Sequence, residues 1–185
     1  GVAAVPAALK DLGQVDTIQI LSHGAAGQFT LGNRTVSSDN VDQLGAALQG
    51  WRTSLTADAD IQLYGCDVGS GASGQLLVDG LAQWTGADVA ASNDATGSAA
   101  AGGDWQLETQ AGTIDKSIVL SEAALAGYAG LLADASPTVT LSSGGSDALL
   151  GGDFTFTASF SNPSTQVGFA PYIDLFIPVT GKDGA

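Results

Sequence analysis

The sequence predicts an α/β fold built on a parallel sheet with covering helices, followed by the start of an all-β domain. Three observations carry this reading. Helical and strand-like segments alternate from Gly1 to Ser92. The strands are short apolar runs of the buried kind. Beyond Asp134, β-type alternation with Gly and Asn-Pro turns replaces helical spacing.

Residues 1–12 place Val2, Val5, Leu9 and Leu12 at helical spacing, with Pro6 in a first turn and Gly13 as the stop. Residues 17–21 form a buried strand. Residues 24–32 are turn-rich, with Phe29 and Leu31 in a small hairpin that ends at Asn33. Ser37-Ser38-Asp39-Asn40 then caps a helix carrying Val41, Leu44, Leu48 and Trp51. Residues 61–64 are the second strand. After a glycine-rich turn, a helix runs through Leu76, Leu77, Leu81 and Trp84 and stops at Gly86. Residues 87–92 are the third strand. A Gly/Ala-rich loop leads to an alternating arm at residues 104–108, and residues 121–128 form a short alanine-rich helix. Trp51, Trp84 and Trp105 are core and rim packing.

The boundary falls near Asp134. Residues 138–141, 154–160 and 172–179 read as strands of an immunoglobulin-like sandwich that stops short, since a full one needs about 100 residues. Three strands make a thin parallel sheet. The chain has no methionine and opens on a helix, so it reads as a piece of a longer protein whose first strands precede Gly1.

With 19 acidic and 5 basic residues, the formal charge is −14. That excludes nucleic acid, whose phosphates need clustered Lys and Arg, and an anionic membrane surface. No apolar run is long enough to span a bilayer, so no membrane insertion is expected. The acidic balance suits an extracellular or cell-surface setting. A single cysteine excludes an internal disulfide, so the thiol is either buried or reactive.

His23 and Cys66 are the only histidine and the only cysteine. Each follows the end of a strand and touches a glycine, in Ser22-His23-Gly24 and Tyr64-Gly65-Cys66. In an open α/β sheet the crevice outside the carboxyl ends of the strands is where chemistry sits. A thiol and an imidazole meeting there can act as nucleophile and proton-transfer partner. The backbone N–H groups of Gly24 and Cys66 can point at a developing oxyanion. The expectation is that both side chains open onto one solvent-facing cleft. Against it stands the bland reading of a packed Cys and an exposed, structural His. Ser22 is disfavoured as a nucleophile, because adjacent strand residues face opposite sides.

Strand-Ser22-His23-Gly24, then helix, then strand-Tyr64-Gly65-Cys66-Asp67 resembles the His-Gly and Gly-Cys pattern of the caspase-like (clan CD) cysteine peptidases. More narrowly, residues 17–108, including Gly86-Ala87-Asp88-Val89-Ala90-Ala91-Ser92 and Gly102-Gly103-Asp104-Trp105, are similar to an uncharacterised domain near the N-terminus of giant bacterial surface and RTX-type proteins. The resemblance covers about the first 130 residues. It implies a caspase-like three-layer sandwich over residues 1–133, lacking its first strands, and a partial β-sandwich over 134–185. It further implies a cysteine endopeptidase with His23 as general acid/base, Cys66 as nucleophile, and Gly24 and Cys66 as oxyanion hole. It implies that Ser92, Asn93 and Asp94 fall in the specificity pocket, where an acid favours a basic P1 side chain. Asp67, beside the cysteine, either shapes the pocket or caps the following turn. The resemblance implies a polypeptide substrate, the parent chain included, with Leu131-Leu132-Ala133 between the two domains as a candidate self-cleavage site like that of toxin-processing domains.

The rival is a non-catalytic structural or adhesion module of a large surface adhesin. No cofactor is called for, and no His/Cys/carboxylate cluster supports zinc. Residues 144–153 resemble a glycine–aspartate calcium repeat, but the register is off by a residue and there is one copy. A strand–turn–strand is favoured there over calcium binding.

Overall fold

The computed structural model describes residues 1–133, 138–143 and 156–161. The chain divides into two units, Gly1–Asp134 and Ala135–Ala185.

The first unit opens on a single 3-10 turn and the short helix α1 (Val5–Leu9), with Pro6 in its first turn where no N–H is needed. Strand β1 (Val15–Leu21) follows. Three short strands, β2 (Gly24–Ala25), β3 (Gln28–Leu31) and β4 (Arg34–Ser37), form a separate antiparallel sheet. It pins Phe29 and Val36 into the core. The expected hairpin is therefore a three-stranded meander.

The helix expected over residues 41–51 is shorter. The Asn40 side chain accepts the Ser37 N–H and donates to Thr35 O, which closes a turn instead of starting a helix. Helix α2 spans only Gly45–Gln49, between two glycines of poor helix propensity, and a 3-10 segment Gly50–Ser54 follows. Strand β5 (Leu55–Tyr64) leads into α3 (Gly71–Thr85), which Gly86 ends in the left-handed region. Strand β6 (Asp88–Ala91) is followed, after a long loop, by β7 (Thr109–Ala111) and the short helix α4 (Glu122–Gly127). The arm expected at 104–108 is not itself a strand. Asp104 makes an isolated bridge to Thr96, and the pairing strand comes later, at β7.

The main sheet has the order β1-β5-β6-β7. The first three strands are parallel, as expected, and β7 adds an antiparallel edge, so the sheet is mixed. One face carries Ile61, Leu63 and Val89 and packs on Leu77, Val78 and Leu81 of α3 in a single apolar cluster.

The opposite face is polar and is crossed by an extended strap. Asp88 on β6 accepts the Thr113 N–H, and Asp60 on β5 accepts those of Asp115 and Lys116. Gln62 donates to Lys116 O. Gln19 on β1 donates to Ser117 O and accepts the Val119 N–H. Because side chains alternate along a strand, Asp60 and Gln62 sit opposite Ile61 and Leu63. The strap thus runs from the β6 side across to β1, held by side chains where a sheet would use backbone pairing.

In the second unit, β8 (Thr138–Ser143) and β9 (Phe156–Ser161) pair antiparallel. The strand expected at 172–179 and the glycine–aspartate segment at 144–153 lie outside the described residues.

Candidate functional site

Strands β1 and β5 run parallel and side by side, with Leu21 opposite Tyr64, so both chains leave the sheet at the same edge. Ser22 N–H still pairs with Tyr64 O at 3.0 Å. His23 and Cys66 come next. The two loops touch so closely that their glycines are required. A Cβ at Gly65 would lie 2.7 Å from Ser22 O, and one at Gly24 would lie 2.4 Å from Val68 Cγ2. The turn after the cysteine is also constrained. Asp67 has φ +61°, the one positive value outside glycine among the described residues. Its N–H is held by Asp94 O at 2.7 Å.

The sequence placed two N–H donors here, and the structure shows what they hold. Gly24 N–H and Cys66 N–H both donate to the carbonyl oxygen of Leu132, each at 3.0 Å. That separation is within the range of a working oxyanion hole. Leu132 is held on its other side, where its N–H donates to Thr96 O at 2.9 Å. Ser98 N–H donates to Gly130 O at 2.8 Å, and Leu131 bridges antiparallel to Gly97. Ala133 bridges parallel to Gly24. Residues 130–133 therefore lie extended between two loops, gripped through their backbone.

His23 is exposed, and its Nδ1 lies 2.8 Å from Ala133 O. A carbonyl only accepts, so Nδ1 carries the proton in this bond.

Cys66 departs from expectation. It is 2% exposed, not solvent-facing. It is not part of the apolar cluster either. Thr96 N–H donates to Sγ at 3.2 Å, and Leu132 O sits on the cysteine's own amide. The thiol is covered by the docked segment and by the Thr96 loop. Burial pushes its pKa above the ordinary thiol value, and the Asp67 charge adds to this. The Thr96 and Leu132 backbone pull it back in part. The resting group is a thiol at neutral pH.

The expected specificity pocket is arranged differently. Ser92 is fully buried, and its hydroxyl turns back to the Asp94 backbone. Asn93 and Asp94 are exposed, and the Asn93 N–H is taken by Glu108. The docked segment pairs with residues 96–98, further along the chain, and the residue held in the hole is a leucine rather than a basic residue. An open cleft of about 390 Å³, lined by Gly97, Gly103, Trp105 and Tyr128 among others, adjoins it. Asp94, Asp104 and Glu108 bring carboxylate oxygens within 4.8 Å of one another. Asp104 closes a local turn on Gln106 N–H, and Glu108 reaches back across 15 residues to Asn93 N–H.

Sequence reasoning missed Thr96–Ser98 as the docking strand. Its grip is made by backbone atoms, and the only trace in the sequence is the glycine at 97, where a Cβ would stand 2.4 Å from Gly130 O.

No helix among the described residues is long and apolar enough to cross a membrane. Residues 1–132 match the profile of a domain family described as a domain of unknown function, DUF4347. No curated protein and no solved structure matches the chain.

Proposed function

We propose that this chain, which belongs to the DUF4347 family of domains of unknown function, carries a cysteine endopeptidase that cuts its own backbone between Leu132 and Ala133. The observation that carries the reading is the Leu132 carbonyl, held by the amides of Gly24 and Cys66 on the residue that bears the only thiol. A carbonyl so held is polarised, and its developing negative charge meets two donors that need no rearrangement.

The Cys66 thiol gives its proton to the imidazole of His23, and Sγ bonds to the Leu132 carbonyl carbon. The tetrahedral oxyanion stays on Gly24 N–H and Cys66 N–H. As it collapses, the bond to Ala133 nitrogen breaks and His23 protonates the departing amine. Its position beside Ala133 O puts the ring on the leaving side. Water then adds to the thioester carbon, the C–S bond breaks, His23 returns one of the water protons to Sγ and the other passes to solvent, leaving a Leu132 carboxylate and the free thiol.

The cut falls two residues before the end of the first unit, so it parts the two units of the chain. An acidic, surface-associated parent protein, released or remodelled by this scission, is the setting the composition favours. The caspase-like likeness of the His-Gly and Gly-Cys loops supports the same chemistry.

The buried, protonated thiol favours a second reading, in which the docked segment is a permanent strap in a non-catalytic surface module. Intact-mass measurement of the purified chain over time separates the two. Self-cleavage predicts fragments 1–132 and 133–185, absent in Cys66→Ala and His23→Ala. The peptidase reading fails if Cys66→Ala yields the same fragments, or if the wild-type chain stays whole across the pH range in which it remains folded.

A further inference from the structure

The docked segment is gripped by more than its backbone. Tyr128 lies four residues before Leu132, where α4 ends and the chain turns extended. Its ring meets Trp105 edge-on, with centroids 5.6 Å apart and planes at 68°. Trp105 in turn meets the buried Tyr64 ring at 6.2 Å. The tyrosine also leans over the docking strand, since a Cβ at Gly97 would lie 3.2 Å from its Cε1. One residue before Leu132, Leu131 lays its Cδ2 over Gly103, 2.6 Å from where a Cβ would stand. The two side chains therefore fit a surface that Gly97 and Gly103 leave open.

We propose that Trp105 is the specificity-determining residue of this site, receiving an aromatic side chain four residues before the one whose carbonyl is attacked. This deepens the peptidase reading and rests on it for the word "cut". The substrate class is an extended peptide with an aromatic anchor, a leucine one position before the scissile carbonyl and small residues between, as in Tyr128-Ala129-Gly130-Leu131-Leu132.

The backbone bonds at Gly130, Leu131 and Leu132 are open to almost any sequence, so they align a peptide without choosing it. Choice needs side chains that fill surfaces. An edge-on aromatic pair contributes beyond its buried area, and the register it sets decides which carbonyl reaches the oxyanion hole. Tyr64 fixes the plane of Trp105 from below. Its hydroxyl is tied to Gln62, and burial pushes its pKa up to about 12, so it stays neutral there.

The test uses the full 185-residue chain in two settings. In the first, self-cleavage is timed by intact mass for Tyr128→Ala, Tyr128→Phe, Trp105→Ala and the Tyr128→Ala/Trp105→Ala pair. Both single alanine variants are expected to slow scission about tenfold, and Tyr128→Phe is expected to stay within about twofold. The pair should be no slower than the slower single variant, because one contact is lost either way. In the second setting, amide hydrogen exchange at Leu132 is read in the Cys66→Ala background, where nothing is cut. Tyr128→Ala should speed exchange there by a similar factor, while Leu63 in the central strand is unchanged. The Leu63 control shows that the fold is intact. Should Trp105→Ala unfold the chain, the half-buried Tyr128 still decides. Wild-type rates of both scission and Leu132 exchange in Tyr128→Ala would overturn the anchor. A wild-type chain that never cuts, yet loses Leu132 protection in Tyr128→Ala, leaves the anchor standing and removes only the peptidase.

Discussion

The two faces of the main sheet solve the same problem by opposite means. One face buries Ile61, Leu63 and Val89 under α3, and its stability is a matter of apolar area and close packing. The other buries Asp60 and Gln62, both fully inaccessible, under a strap with no regular structure. A strap of that kind has N–H and C=O groups that no neighbouring strand satisfies, and leaving them unmet costs free energy. The polar side chains of three successive strands meet them one by one. The apolar face makes the fold, and the polar face makes a path. That path carries the chain back across the sheet, through α4, to the site where residues 130–133 are held.

The comparison can be broken from either side. The largest effect on stability belongs to the apolar face. Leu77→Ala removes a fully buried side chain and should lower unfolding free energy by about 2–5 kcal/mol, read by denaturant titration. Scission at Leu132 should persist while the chain stays folded. Unchanged stability would mean that α3 does not clamp the sheet.

Asp60→Ala is the matching test of the polar face. It strips the acceptor from Asp115 and Lys116 and should cost about 1–3 kcal/mol. Its signature is different, with faster amide exchange at 115 and 116 and slower scission. Asp60→Asn keeps one acceptor oxygen and should fall between. If Asp60→Ala cuts at the wild-type rate, the strap does not govern delivery of the segment.

Burial raises the Cys66 pKa, so the thiolate fraction is small at neutrality and grows as pH climbs past the ordinary thiol range. Iodoacetamide labelling should accelerate through that alkaline window with no plateau near neutrality. A plateau at pH 6–7 would contradict the burial described for the thiol.

Smallest is Tyr64→Phe. Near pH 7 it removes one long 3.3 Å bond and should change stability by no more than about 1 kcal/mol. The difference emerges above the ordinary tyrosine pKa. There the unfolded chain loses a proton that the folded chain keeps until about pH 12, so wild-type stability falls as pH rises. The phenylalanine variant should lack that part of the fall, seen in urea midpoints taken from pH 9 to 12.

Much of this architecture was readable in the sequence. The three parallel strands declared themselves as apolar runs, and the paired placement of His23 and Cys66 followed from the edge at which parallel strands end. The helix ending at Gly86 was legible because a left-handed glycine is a strong stop. Strand β7 was not, since Thr109-Gln110-Ala111 is too short to alternate. Nor was the shortened α2, where the Asn40 side chain competes with the helix for backbone groups. The covering of Cys66 was hidden for a further reason. It depends on carbonyl and amide atoms of residues 96 and 132, and every residue type carries those atoms. The caspase-like resemblance placed the substrate pocket at Ser92, Asn93 and Asp94, where the third strand passes into its loop. The docked chain instead follows the glycine at 97, where the backbone leaves room.

The short tether between α4 and Leu132 has one more consequence. Were the chain cut at that residue as proposed, the new terminus would stay in place. Its carboxylate would keep the amides of Gly24 and Cys66, its upstream neighbours would keep Thr96 and Ser98, and a link of a few residues would hold its local concentration very high. The domain would then be plugged by its own stub, a trigger that fires once and never becomes a general scavenger of other polypeptides.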